Sequence, residues 1–485
     1  MAVLLPRSSH PLPMKLKPAV FVLAVTSLGI APLYAVDLFW DADVDTTGST
    51  GASGNWDTSS SLWRSSSDTG ALQAWPTTGG NNDAIFGGTA GTVTLISGIT
   101  ANDLFINPTT GTSYIITGPT QTLTLGGTAS SLIDIATGDF LTINSRLAGT
   151  RGFTKTGAGT LVLDTPLGTG GIIGGITISG GTMQAGSSTN NSASQVLRSN
   201  AVNLTGGTSL ITVGNTPDLR VGSLSGSGSV TPAAGGTINV LALSNSTFSG
   251  VITTTGGITL RGGNGTTQTL SGNMTGLTGT IGINSGATLN LSGTGDSTSG
   301  VIGSTIIALR GGAFVLNSSG GNTGASAGRL SDSAAVTFLG GTLALLGNSG
   351  GTSETVGAVT FNDGAATVSV TNNGGTGGQL TFTDSGSLRD SSAMTINFVN
   401  SGIGTLGTAG NNSRITFSSV PTTVTSGSAA PLGMFADSAT GATVGFATVN
   451  GSEWAGYGAN GVVALTPNAA PMTAANLSVL AATSM

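Results

Sequence analysis

Apolar and small polar residues alternate along this chain in short runs, and glycines close nearly every run. Between Gly152 and Gly186 the runs are Phe153-Thr154-Lys155-Thr156, Leu161-Val162-Leu163, Ile176-Thr177-Ile178 and Met183-Gln184-Ala185. A period of two bounded by Gly or Gly-Gly predicts strands. Each strand offers only two or three apolar side chains to one face, too few to bury a core alone, so similar units must stack on one another. The same unit recurs as Val93-Thr94-Leu95, Leu123-Thr124-Leu125, Leu141-Thr142-Ile143, Val202-Asn203-Leu204, Ile258-Thr259-Leu260, Leu289-Asn290-Leu291, Val336-Thr337-Phe338 and Leu343-Ala344-Leu345. The alternation places aliphatics inside and Thr, Ser or Asn outside, where like side chains stack on adjacent rungs. With rungs of about 22 residues, roughly 330 residues give about 15 rungs. Nothing in the pattern reads as a helix. A row of antiparallel β-sandwich modules would need longer strands at regular domain intervals, with linkers between them, and neither is visible.

The run Gly152-Phe153-Thr154-Lys155-Thr156-Gly157-Ala158-Gly159-Thr160-Leu161, followed by Ile176-Thr177-Ile178-Ser179-Gly180-Gly181-Thr182-Met183-Gln184, resembles the autotransporter-associated β-strand repeat. That repeat is close to G-L-T-K-x-G-x-G-T-L-x-L, a short spacer, then T-x-I-x-G-G-T-L. The resemblance implies a secreted or surface-anchored bacterial protein whose fold is all-β, a right-handed single-stranded parallel β-helix of the passenger type. Arg329 through Leu343, Glu354 through Val359, and Gly445 through Asn450 with Gly461 through Leu465 look like later blocks of the same proteins. The chain departs from them toward its end. No room follows Trp454 for a membrane-embedded barrel of ~10-residue alternating strands, and no C-terminal Pro-Glu-Pro sorting signal appears. Ala470 through Leu480 reads as the start of a further segment cut short, so a truncated product is expected.

Composition sharpens this picture. With 81 glycines and 7% charged residues among 485, the chain lacks the high net charge and low apolar content of a disordered one. Its texture is uniform enough for one long solenoid where length alone suggests roughly three domains. There is no cysteine and a single histidine, His10, so stability must come from repeated backbone hydrogen bonds and a continuous apolar interior. The net charge is -6 with no Lys/Arg cluster, which speaks against a nucleic-acid partner.

Four segments are expected. Residues 1–35 read as a signal peptide, with Arg7, Lys15 and Lys17 before an apolar run from Ala19 to Leu33, and Met14 makes the better start. The run is shorter than the ~20 residues of a membrane span, so the mature chain has none. Cleavage leaves 11 basic and 20 acidic residues and no histidine. Residues 36–86 hold Trp40, Trp56, Trp63 and Trp75 and seven aspartates. They read as an aromatic-rich N-terminal cap over the exposed end of the stack; a sugar-binding platform carried by Trp56 and Trp63 is the alternative. Residues 87–418 form the repeat region and residues 419–485 a C-terminal β region.

Few residues are placed to carry chemistry. A mature chain without His or Cys cannot build a Ser/His/Asp or Cys/His arrangement, nor a zinc or copper site. Asp41, Asp43 and Asp45 are weak candidates for a cation site, since on a strand all three would share one face; Thr46 and Ala52 stand where a helix-loop-helix calcium loop needs Gly and Glu. Gly402 through Gly407 matches G-x-G-x-x-G, but no helix follows. A carbohydrate-active β-helix enzyme would have to draw on Asp134 with Asp139, Asp384 with Asp390, and Lys155 or Arg151. Lys155 belongs to the repeat itself, where an outward lysine would discourage edge pairing. The reading is therefore a secreted or cell-surface structural, adhesion-type β-helix without catalysis or cofactor, meeting extracellular glycans or proteins through many weak contacts. A polysaccharide lyase or hydrolase, or a glycan-binding module, is the alternative.

Overall fold

A computed structural model describes residues 35–44, 48–77, 81–165, 171–186, 197–213, 218–262, 265–293, 300–322, 328–384, 394–418 and 447–464. Residues 1–34, which hold most of the segment read as a signal peptide, Asp45, Asp390, and the stretches 419–446 and 465–485 lie outside the described residues. The compact unit Ala35–Met485 carries all that follows.

The described residues form a parallel β-solenoid, nearly all strand, with helix only at 197–198. The runs read from the sequence are its strands: Phe153–Thr156, Thr160–Leu163, Ile176–Ile178 and Thr182–Ala185. Buried and half-buried residues alternate in each, as a period of two requires.

One turn shows how the chain coils. Ser131–Ile135 forms the first side and Phe140–Gly149 the second. Phe140–Gly149 bends at a register shift between Ser145 and Arg146, so its far half builds a third side against Thr122 to Leu125. The next strand, Phe153–Thr156, lands on Ser131–Ile135 in parallel, Ser131 on Phe153. Ile133 pairs with Lys155, Phe153 with Ile176, Ile176 with Val202 and Val202 with Leu224, steps of 22 to 26 residues. This first ladder continues through Ser246–Phe248, Thr266–Leu270, Ala287–Ser292 and Ala313–Asn317. The third side runs regularly from Leu219–Val221 through Ile238–Val240, Ile258–Leu260, Ile281–Asn284 and Ile306–Arg310.

Stacking fills the interior. Leu161, Ile178, Leu204, Leu260, Leu291 and Leu316 are wholly buried. Phe338 stacks on Phe361 at 4.9 Å and Phe382 on Phe417 at 5.2 Å, as inward residues of equal register must when parallel strands sit about 4.8 Å apart. On the outside, polar side chains bond from rung to rung: Asn290 to Thr269 at 3.2 Å, Thr381 to Thr416 at 2.8 Å. Each such contact adds a few tenths of a kcal/mol to about 1 kcal/mol, multiplied along the stack.

Among the paired strands, antiparallel pairing occurs only toward the two ends. Trp40 pairs with Trp63 and Trp63 with Gln73 at one end; Val449 pairs with Glu453 and Ala455 with Ala464 at the other. A chain that turns back on itself stops offering a parallel edge to the next rung. The N-terminal fold-back packs four buried tryptophans with Phe86 and Tyr114. Trp63 lies 5.0 Å from Trp40, 4.9 Å from Trp56, 4.7 Å from Trp75 and 5.6 Å from Phe86, ring centre to ring centre. At the other end, Tyr457 packs on Phe417 and accepts from its backbone N–H at 2.8 Å.

Candidate functional site

Of the three aspartates singled out as a cation site, Asp41 and Asp43 do not share a face. The first strand, Val36–Trp40, ends one residue before Asp41, and the chain bends there. Asp41 is wholly buried while Asp43 is exposed; Asp45 is outside the described residues. The Asp41 carboxylate accepts from Arg64 Nε and Nη2 at 2.6 Å each and from Thr50 Oγ1 at 2.8 Å. Its charge is met by a guanidinium held by strand pairing across Trp40 and Trp63. Among the described residues, no three His, Cys, Asp or Glu side chains converge to hold a metal ion.

The tryptophans of the alternative sugar platform are interior. Trp56 is 0% and Trp63 1% exposed, so neither ring can stack on a sugar while the N-terminal fold-back is intact. The rings pack on one another, and this burial rules the platform out.

Lys155 also differs from expectation. It lies on the same side of its strand as Phe153, wholly buried. Nζ donates to the carbonyl oxygens of Thr156 at 2.7 Å and Gly157 at 2.8 Å. Burial pulls its pKa down to about 8, against the opposing pull of Asp134. The residue serves the corner between two sides of the solenoid, where the turning chain has carbonyls without ladder partners. It does not guard an outer edge.

The remaining candidates are scattered. Asp134 stands on the outer face of Ser131–Ile135 and accepts from Thr156 Oγ1 at 2.6 Å. Asp139 is buried in the turn that follows, its carboxyl pushed up by that burial. Arg151 is exposed at a corner, and Asp384 is exposed at the end of Gly378–Asp384, with Asp390 outside the described residues.

Two features escaped the sequence reading. Arg329 and Glu354 are both interior, 0% and 2% exposed. Glu354 Oε1 accepts the backbone N–H of Arg329 and of Leu330 at 2.9 Å each. Arg329 donates its Nε to Ser318 Oγ at 3.1 Å and Nη2 to Gly321 O at 2.9 Å. Burial raises the Glu354 pKa to about 7, though both N–H groups and the Arg329 charge oppose it. The available signal was two rare charges one rung apart. The second feature is a furrow of about 670 Å³ crossing successive rungs at the corner after the first ladder. Its signal was the pair Ser-Gly following an apolar residue at 249–250, 271–272 and 292–293.

Among the described residues, no helix is long and apolar enough to cross a membrane. No family model matches the chain, and no solved structure matches it. The chain is 42% identical over 183 residues to the adhesin BmaC autotransporter of Brucella suis biovar 1 (strain 1330). That match takes in 37% of this chain and 5% of the adhesin, so the chain spans about a twentieth of its relative's length. The relative is of the class that the repeat of Gly152 to Gly186 resembles, and the parallel solenoid is the fold which that resemblance implies.

Proposed function

We propose that this chain is a secreted or cell-surface β-solenoid of the adhesion type, without catalysis, displaying an extended polar flank to extracellular glycans or proteins. The observation that carries the reading is the continuous parallel ladder whose Thr, Ser and Asn side chains face out while Asp41, Arg64, Lys155, Arg329 and Glu354 turn in. A flank of small polar groups with few charges among them suits many weak contacts rather than one deep pocket. The likeness to an adhesin supports the same reading. On it, residues 1–35 direct export, 36–86 close one end, 87–418 supply the displayed flank and 419–485 follow as a further β region. The carboxylates available to a lyase or hydrolase are spread over different elements, and Lys155 is committed to carbonyls.

The test is expression of the full chain in a bacterial host, followed by proteolysis of intact cells and by measured attachment of beads coated with the purified protein to host cells. Cleavage from outside together with saturable attachment is the expected result. A protein retained in the cytoplasm, or beads that attach no better than uncoated ones, overturns the reading. Release of reducing ends from a polysaccharide panel would establish catalysis instead.

A further inference from the structure

The furrow crosses five successive turns, at Ser227, Ser249 to Val251, Ser271 to Asn273, Ser292 to Gly293 and Asn317 to Gly320. Five rungs at about 4.8 Å cover about 19 Å along the stack. Its floor is main chain, because the rungs approach too closely for a side chain. A Cβ on Gly250 would stand 1.9 Å from Gly228 O, and one on Gly272 would stand 2.0 Å from Gly250 O. The walls are hydroxyls and amides, and among the described residues no charged side chain lines them. Asn273 Oδ1 accepts from Thr275 N at 3.1 Å and Oγ1 at 2.7 Å, and Asn317 Oδ1 accepts from Ser319 N at 3.0 Å and Oγ at 2.6 Å. Both amides thus spend their oxygen on their own turn and keep Nδ2 as a donor beside the furrow. Beneath its far end, Arg329 Nη2 donates to Gly321 O at 2.9 Å and reaches Gly293 O at 3.5 Å.

We propose that this furrow binds a neutral glycan chain laid along the stack. The inference rests on the reading of the solenoid as a display surface and names the ligand that one part of it takes. An uncharged lining offers nothing to a polyanion or a metal ion. A peptide strand gains little, because the main chain here is already bonded from rung to rung, as in Val251 N to Gly228 O at 3.0 Å and Ser271 N to Phe248 O at 2.9 Å. Among the described residues, no sheet edge is open for strand addition along the furrow, and no apolar pockets alternate there for side chains. A sugar chain presents what this lining answers: hydroxyls at short regular intervals, each donor and acceptor, and small C–H faces for the glycine floor and Val251, which is 43% exposed.

The experiment is calorimetric titration of the full chain with neutral gluco- and manno-oligosaccharides of increasing length, beside heparin, polygalacturonate and an unstructured peptide. Asn273→Asp and Asn317→Asp keep the oxygen that each turn needs and replace the donor by a negative acceptor. Ser285→Arg, in an exposed turn at another corner, serves as control. Neutral oligosaccharides are expected to bind, with affinity rising with length, and each Asp variant should weaken them about tenfold at unchanged melting temperature. The control should bind as the parent does. Absence of saturable binding by every neutral oligosaccharide, binding untouched by both Asp variants, or preference for a polyanion or the peptide overturns the proposal. Beads that still attach to cells while no oligosaccharide binds would sink the furrow alone. Oligosaccharide binding by a protein that mediates no attachment would instead sink the adhesion reading.

Discussion

Lys155 Nζ donates to the carbonyl oxygen of Gly157 at 2.8 Å from inside the solenoid. Gly157 turns through φ +67°, and a Cβ there would stand 2.1 Å from Ile135 O of the rung before. The chain changes direction at a point too tight for a side chain, and the lysine two residues earlier binds the carbonyls that the turn releases. The position couples a charge to the geometry of a corner.

That coupling makes stability depend on pH in the alkaline range. Burial holds the native Lys155 pKa near 8, while an unfolded lysine titrates at 10.5. Between these values the unfolded chain binds the extra proton, so stability rises with pH from about 8 to about 10.5, and below 8 this gain is absent. Urea midpoints across this window should climb for the parent by the equivalent of about 3 kcal/mol. Lys155→Met, which cannot titrate, should give a flat profile; a parent profile that is also flat would refute the assignment.

Glu354 has the opposite sign. Its native pKa, raised by burial to about 7, exceeds the 4.5 of an exposed glutamate. The native state therefore keeps a proton that the unfolded chain loses, and this contribution is fully present below pH 4.5 and disappears as pH rises to about 7. Glu354→Gln retains an acceptor for the N–H groups of Arg329 and Leu330 and should flatten that segment of the curve. Glu354→Ala leaves both donors buried without a partner and should cost about 2–3 kcal/mol at either pH. Thermal melts at pH 4.5 and 7 distinguish the two variants.

Much of the fold was legible because stacked strands have a strict parity. Phe153 and Ile176 face in, and everything two residues away follows them. The same parity places Lys155 on the side of Phe153, against the habit of setting lysines outside; its interior partners are carbonyls, which no residue type announces. Asp41 and Asp43 depart from expectation for a related reason. Parity holds only within a strand, and the strand stops at Trp40. The antiparallel fold-backs and the Arg329 contacts were not legible, since they depend on which rung a loop reaches. Nor was the furrow, a property of glycines stacked from turn to turn rather than of any one turn.

Glycines in this chain do two separable jobs. Gly138 takes φ +87° with nothing within 4 Å of the place a Cβ would occupy, whereas a Cβ on Gly272 would strike Gly250 O at 2.0 Å. Gly138→Ala should cost about 1 kcal/mol, the strain of a left-handed backbone. Gly272→Ala should cost about 3 kcal/mol, because two rungs would have to part. Denaturant titration of both variants would show equal losses if crowding between turns did not matter.

The four tryptophans of the N-terminal fold-back differ in one atom's fortune. Trp40 Nε1 donates to Ala52 O at 2.8 Å and Trp75 Nε1 to Thr100 O at 3.0 Å. Nε1 of Trp56 and of Trp63 is buried without a protein partner. Replacement by phenylalanine removes ring area everywhere, but at Trp40 it also removes the hydrogen bond to the partly buried carbonyl of Ala52. Trp40→Phe should therefore cost about 1 kcal/mol more than Trp63→Phe. Trp63→Ala, which empties the centre of the cluster, should cost about 3–5 kcal/mol. If the tryptophans instead formed an exposed sugar platform, Trp63→Ala would leave the unfolding midpoint unchanged and abolish glycan binding alone. The burial of all four rings predicts the reverse: a lower midpoint, with oligosaccharide affinity intact in the fraction that remains folded.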